Sequence, residues 1–148
     1  MTEPTSRSEA GHPSMRMLHT MIRVRDLEKA IEFYTGALDM REIRRRDAPE
    51  GRYTNVFLGY GPESQMTLLE LTHNWDQSEP YPIGSAFGHL AIGVADIYQS
   101  CKRFEQKGIK ITRAPGPVQF GKTLIAFIED PDGRKIEIIQ EDTLPTSI

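Results

Sequence analysis

The stretch Thr67-Leu68-Leu69-Glu70-Leu71-Thr72-His73-Asn74-Trp75 reads as a β-strand running into a polar turn. Leu68, Leu69 and Leu71 mark it as buried, yet Glu70 sits among them, and no lysine or arginine lies between Arg52 and Lys102. An unpaired carboxylate in such surroundings costs on the order of several kcal/mol, so a cation is expected to face it. The bland alternative is a strand with one wet face, on which Glu70 points to water. The rest of the chain decides between them.

Adding 70 to the numbering lays the second half of the chain over the first. His19 falls on His89, Ile22 on Ile92, Val24 on Val94, Asp26 on Asp96 and Phe57 on Phe127. The last hairpin of the second half is three residues shorter, and with that correction Glu70 falls on Glu137. Glu137 repeats the oddity of Glu70, since Ile136, Ile138 and Ile139 flank it. Each half therefore opens on a histidine in its first strand and closes on a glutamate in its last. A repeat sets its first and last strands at equivalent places, so pseudo-symmetry can bring four such side chains together. Two carboxylates at matched places in apolar strands are poorly explained as solvated surface.

Each half reads as strand, helix and three strands. Met17, His19, Met21 and Arg23 share one face of the first strand, and Leu18, Thr20, Ile22 and Val24 the other. Asp26 caps a helix whose stripe is Leu27, Ala30, Ile31, Tyr34 and Leu38. Strands follow at 41–46, 53–58 and 65–72. Residues 76–87, with two prolines and Gly84, form a linker. The pattern restarts with a strand at 89–94, an Asp96-capped helix with the stripe Ile97, Cys101 and Phe104, and Gly108 as its stop. A short strand at 110–113, a Pro/Gly loop at 114–121, and strands at 123–128 and 134–140 complete it. The fold class is α+β: two βαβββ modules, about 15–75 and 86–142, forming a curved mixed sheet around a metal site. Residues 1–14 read as a disordered polar tail with a solvated His12, and 143–148 as a C-terminal tail.

The 148 residues fit one domain, and a net charge of −3 gives no basic field for nucleic acid or a membrane surface. No apolar run is long enough to span a bilayer, and the polar N-terminus has no signal-peptide core. The single cysteine, Cys101, excludes an internal disulfide framework, fits a reducing cytoplasm and reads as an inert core thiol.

His19, Glu70, His89 and Glu137 are the candidate metal ligands. Mixed imidazole and carboxylate donors suit Zn, Ni, Co, Mn or Fe. They do not suit a closed structural zinc site, which favours thiolates. Positions left open on the metal are what catalysis requires.

The run His19-Thr20-Met21-Ile22-Arg23-Val24, Phe33-Tyr34, Leu69 to Trp75, Phe87-Gly88-His89, and Ala126 to Gly133 with Ile136-Glu137 together resemble glyoxalase I, the lactoylglutathione lyase family of the vicinal oxygen chelate superfamily. The resemblance covers about residues 15 to 141. It implies that His19, Glu70, His89 and Glu137 hold one divalent metal. It also implies a homodimer whose sites join the first module of one chain to the second of its partner. The implied substrate is the hemithioacetal of methylglyoxal and glutathione, isomerised to S-D-lactoylglutathione through a metal-stabilised enediolate. Glu137 is the implied base, with Glu70 acting on the opposite face. Arg23 and Asn74 match positions that hold the γ-glutamyl end of glutathione, and Arg113 lies near where the family offers a cation to the glycine carboxylate. The compact core resembles the nickel- or cobalt-activated type more than the zinc type. Some members carry an arginine four residues before the second histidine, where this chain has Ser85. The charge run Arg44 to Arg46 is the local alternative, and such runs are ordinarily solvated faces. Thr20, Met21, Ile22, Phe57, Leu68 and Leu124 are candidates for an apolar wall, and His73 for a surface role. The rival readings are an acyl-CoA epimerase or thiol transferase on the same fold, or a metal-free antibiotic-binding protein.

Overall fold

The computed structural model describes residues 14–145. Most of the N-terminal tail, with His12, and the last three residues lie outside the described residues. The first module contains β1 (His19–Arg23), α1 (Leu27–Glu32), β2 (Arg41–Ala48), β3 (Tyr53–Gly59) and β4 (Leu68–Asn74). The second contains β5 (Leu90–Val94), α2 (Ile97–Gln106), β6 (Ile111–Pro117), β7 (Leu124–Glu129) and β8 (Lys135–Gln140). Each module folds its own four-stranded mixed sheet, in the orders β1-β4-β3-β2 and β5-β8-β7-β6. In each, the first strand runs parallel to the last while the other pairings are antiparallel. The strand that begins at His19 and the one that begins just after His89 are thereby neighbours of their modules' glutamate strands.

Both helices start as the repeat predicts. Asp26 accepts the amide of Lys29, and Asp96 accepts those of Tyr98 and Gln99. A cap of this kind contributes about 1 kcal/mol. Strand alternation turns Ile22, Val24, Val56, Leu58, Leu69 and Leu71 of the first sheet inward. They join Ala126, Ile128, Ile136 and Ile138 of the second and Ile97, Cys101 and Phe104 of α2 in one core. Full burial of such a side chain stabilises by roughly 1.5–3 kcal/mol before entropy is charged. The opposite faces of the two sheets remain open.

A buried polar pin crosses between the modules. The Tyr34 hydroxyl donates to Asp130 Oδ2 at 2.7 Å, and Arg134 Nη1 donates to the same oxygen at 2.9 Å. Asp130 Oδ1 accepts the backbone amides of Asp132 and Arg134, and Arg134 Nη2 donates to the Arg23 carbonyl. The Asp130 side chain is fully buried and that of Arg134 nearly so. Burial, reinforced by the Asp130 charge, raises the Tyr34 hydroxyl far above its ordinary pKa.

The structure corrects the sequence reading in three places. The first helix is α-helical only to Glu32 and then widens into a π-turn over Phe33–Ala37, which buries Phe33, Tyr34 and Ala37 together. Residues 114–117, read as loop, belong to β6 despite Pro115 and Pro117. β6 is an edge strand, where missing amides are tolerated, and it takes two register shifts. Arg113 stitches this irregular stretch, donating to the carbonyls of Ala114, Gly116, Ile125 and Pro117. The C-terminal tail also begins later than residue 143. Glu141–Thr143 form a 3-10 turn, and Thr143 is tied to both Thr123 and Leu124 of the second module. No helix among the described residues is long and apolar enough to cross a membrane.

Candidate active site

Strand register builds the first half-site. Met21 and Phe57 both pair with Glu70, across β1 and β3 respectively, so all three share the open face of the first sheet. His19, two residues before Met21 on an edge strand, reaches back over β4. Its Nε2 lies 3.2 Å from Glu70 Oε1. The edge of the imidazole packs on the Phe57 ring with centroids 5.3 Å apart.

The second half-site repeats these numbers. Ala91 and Phe127 pair with Glu137. His89 Nε2 lies 3.2 Å from Glu137 Oε1, and its ring meets Phe127 at 5.3 Å. The glutamate side chains are 13% and 18% exposed. Glu70 and Glu137 thus sit mostly out of water, each facing its matched histidine rather than bulk solvent.

The four candidates assemble two by two. Among the described residues no three His, Cys, Asp or Glu side chains converge on one point. The cause is topological: each module closes its own sheet, so one chain presents two separate pairs. The chemistry of each pair nonetheless fits a divalent cation. Two donors at right angles on a metal at roughly 2.1 Å stand about 3 Å apart, close to the spacing of each pair. Imidazole with carboxylate is a donor set for first-row divalent ions.

Arg23 lies on the open face beside Thr72, and Asn74 follows at the end of β4, donating to the Tyr81 hydroxyl at 2.8 Å. Both belong to the first half-site. Arg113 belongs to the second, opposite Phe127 in the register. It lines an open cavity of about 530 Å³ together with His89, Phe127, Phe87, Ile83 and Lys135. Within the arginine run, Arg45 turns away to Glu42 and Glu28. Arg44 instead lies over the Phe57 ring at 3.6 Å and forks onto Glu63. That fork raises the Arg44 pKa, and the Glu70 charge adds to it. Of the apolar wall candidates, Met21, Phe57 and Leu68 share the open face, while Ile22 and Leu124 pack in the core. The His73 ring reaches the Val24 carbonyl, at 3.4 Å.

Two residues of the site were not singled out by sequence. Asn55 and Thr72 both donate to Glu70 Oε2, at 3.2 Å and 2.9 Å. The repeat conceals them, because their counterparts are the apolar Ile125 and Ile139. A comparison of the halves for mismatches rather than matches would have exposed both.

Residues 16–138 match the Glyoxalase/Bleomycin resistance protein/Dioxygenase superfamily. The chain is 52% identical over 134 residues to a lactoylglutathione lyase of Neisseria meningitidis, covering 90% of this chain and 96% of that one. Glyoxalase I from Zea mays shares its fold with a TM-score of 0.81 at 49% identity; the match covers 84% of this chain but only 44% of the maize chain. The trypanothione-dependent glyoxalase I of Leishmania major has a TM-score of 0.79 at 45% identity, with 88% and 89% of the two chains covered. With two βαβββ units bearing matched histidine–glutamate pairs, and with these likenesses over most of its length, the chain belongs to the Glyoxalase/Bleomycin resistance protein/Dioxygenase superfamily and, within it, to the lactoylglutathione lyases, the glyoxalase I family.

Proposed function

We propose that the protein is a metal-dependent lactoylglutathione lyase that detoxifies methylglyoxal. It isomerises the methylglyoxal–glutathione hemithioacetal to S-D-lactoylglutathione. The observation that carries this reading is the duplicated pair, His19 with Glu70 and His89 with Glu137, both at 3.2 Å on the open faces of matched sheets. A second copy of the chain completes the site, first module against second. The maize likeness supports that arrangement, since the matched part fills only 44% of a polypeptide with room for another such unit. A reducing cytoplasm suits the single unpaired Cys101.

A divalent cation held by His19, Glu70, His89 and Glu137, Ni2+ or Co2+ before Zn2+, would supply Lewis-acid polarisation of the substrate oxygens. Glu137 takes the proton from the carbon bearing sulfur and returns one to the neighbouring carbon. Glu70 works from the opposite face. Arg23 and Asn74 bind the γ-glutamyl end of glutathione from the first module. Arg113 serves the glycine carboxylate through its field: carbonyls engage Nη1 and Nη2 but leave its charge uncancelled. Phe57 and Phe127 pack the two imidazoles and keep water from that side.

The test adds Ni2+, Co2+ and Zn2+ separately to metal-free protein and follows thioester absorbance with methylglyoxal and glutathione. Turnover restored by at least one metal supports the reading. Tight metal binding with no thioester formed would move the protein to another activity of the fold, and no metal binding at all would favour a binding protein.

A further inference from the structure

The two half-sites match in their histidines, glutamates and phenylalanines but differ in what holds the carboxylate. Around Glu70 the hydrogen bonds close a triangle. Thr72 Oγ1 donates to Glu70 Oε2 at 2.9 Å, and Asn55 Nδ2 reaches Glu70 Oε2 at 3.2 Å and Thr72 Oγ1 at 2.8 Å. The protons balance: the threonine has one to give, the amide nitrogen has two, and each finds an acceptor. Asn55 and Thr72 are cross-strand partners, which brings both side chains to the Glu70 side of the sheet. Their counterparts Ile125 and Ile139 are likewise cross-strand partners and have nothing to donate. Among the described residues, Glu137 makes no polar contact besides that with His89.

We propose that Asn55 is a positioning residue. With Thr72 it occupies Glu70 Oε2, so that only Oε1 is presented to the metal, whereas Ile125 and Ile139 leave Glu137 free to reorient. The first module then supplies a fixed donor pair and the second a movable one. The repeat has kept its ligands and divided their duties through the residues beside them. This rests on the metal-dependent reading above.

Asn55→Leu places an apolar side chain where the second module has one, and Ile125→Asn puts a donor beside Glu137. Co2+ is the probe, read by competition with a chelating dye and by the visible absorption of the Co2+ protein, alongside KM and kcat. Loss of an outer hydrogen bond to a metal ligand commonly weakens binding by 10–100-fold, and about tenfold is expected for N55L. The N55L Co2+ band should shift, while KM and melting temperature stay near those of the parent. I125N should bind Co2+ more tightly and turn over more slowly, because the movable carboxylate has been tethered. N55L with parental Co2+ affinity and spectrum overturns the proposal, and so does I125N with an unchanged kcat. Thr72→Val, close in volume, carries the same expectation as N55L and replaces it if N55L does not fold. Parent protein that binds no Co2+ and makes no thioester sinks the lyase reading and this proposal together. A parent that does both, beside an N55L indistinguishable from it, sinks this proposal alone.

Discussion

Arg134→Met is the substitution for which the structure gives the most definite expectation. The change keeps the apolar stem and removes the guanidinium from a fully buried Asp130 carboxylate. Removing one member of a buried pair costs about 3–5 kcal/mol, because the other charge stays buried and unpaired. Here Asp130 keeps three donors, the Tyr34 hydroxyl and the amides of Asp132 and residue 134. The cost should therefore fall at the lower end of that range, about 3 kcal/mol. The Arg23 carbonyl also loses its donor, which adds about 1 kcal/mol. For a domain of this size each kcal/mol moves the melting temperature by about 3 °C, so a drop of roughly 12 °C follows. Thermal unfolding by circular dichroism reads it directly. The control is the double variant Asp130→Asn with Arg134→Met. With the Asp130 charge gone, and with Asp132, 3.7 Å from Arg134 Nη1, still holding the Arg25 amide, it should recover part of the loss. An R134M protein melting within a few degrees of the parent, or a double variant no better than R134M, would refute the reasoning.

Glu137→Gln should lower kcat by 100-fold or more, on the order of general-base catalysis, while metal analysis still finds one divalent ion per site; near-normal turnover would remove Glu137 from the role of base. Asp132 offers a test by pH: burial raises its carboxyl pKa, the Arg25 amide opposes this, and the Asp130 charge adds to the rise. A raised folded-state pKa means the folded protein binds that proton more tightly, so the contribution is full below the unfolded pKa and fades as pH climbs through the folded one. The parent should therefore gain stability relative to Asp132→Asn as pH falls from neutral into the carboxylate range, and a flat or opposite trend in paired melts would contradict it. Burial raises the Cys101 thiol pKa, with the Glu105 charge adding. In native protein at mildly alkaline pH it should react with a disulfide reagent only slowly, becoming fast in denaturant, as mixing experiments would read.

Local chemistry made much of this fold legible in the sequence. The helix caps Asp26 and Asp96 act over two or three residues, and the inward faces of β1 and β4 follow from alternation, so both could be read without coordinates. The histidine–glutamate pairs were legible for a different reason: duplication placed the same oddity twice. What stayed hidden depends on partners distant in sequence or on exceptions to a local rule. Nothing near Arg134 announces that it shares the Asp130 carboxylate with Tyr34, and Asn55 looks like any polar strand residue until Glu70 lies beside it. Pro115 and Pro117 argued for a loop because local propensity knows nothing of edge strands or of an arginine lending its protons to orphaned carbonyls.

The pin between the modules also bears on how the chain is made. Tyr34 and its acceptor Asp130 are 96 residues apart, and Arg134 and the Arg23 carbonyl 111. At roughly 5–20 residues per second, a nascent first module waits several seconds or more for the groups that satisfy its hydroxyl and its strand end. Until then it exposes a flank meant for the interior and depends on whatever shelters it at the ribosome. The repeats look like two autonomous copies, yet neither is a finished object alone. A truncated half should prove insoluble or molten by circular dichroism, for want of the groups the other half supplies.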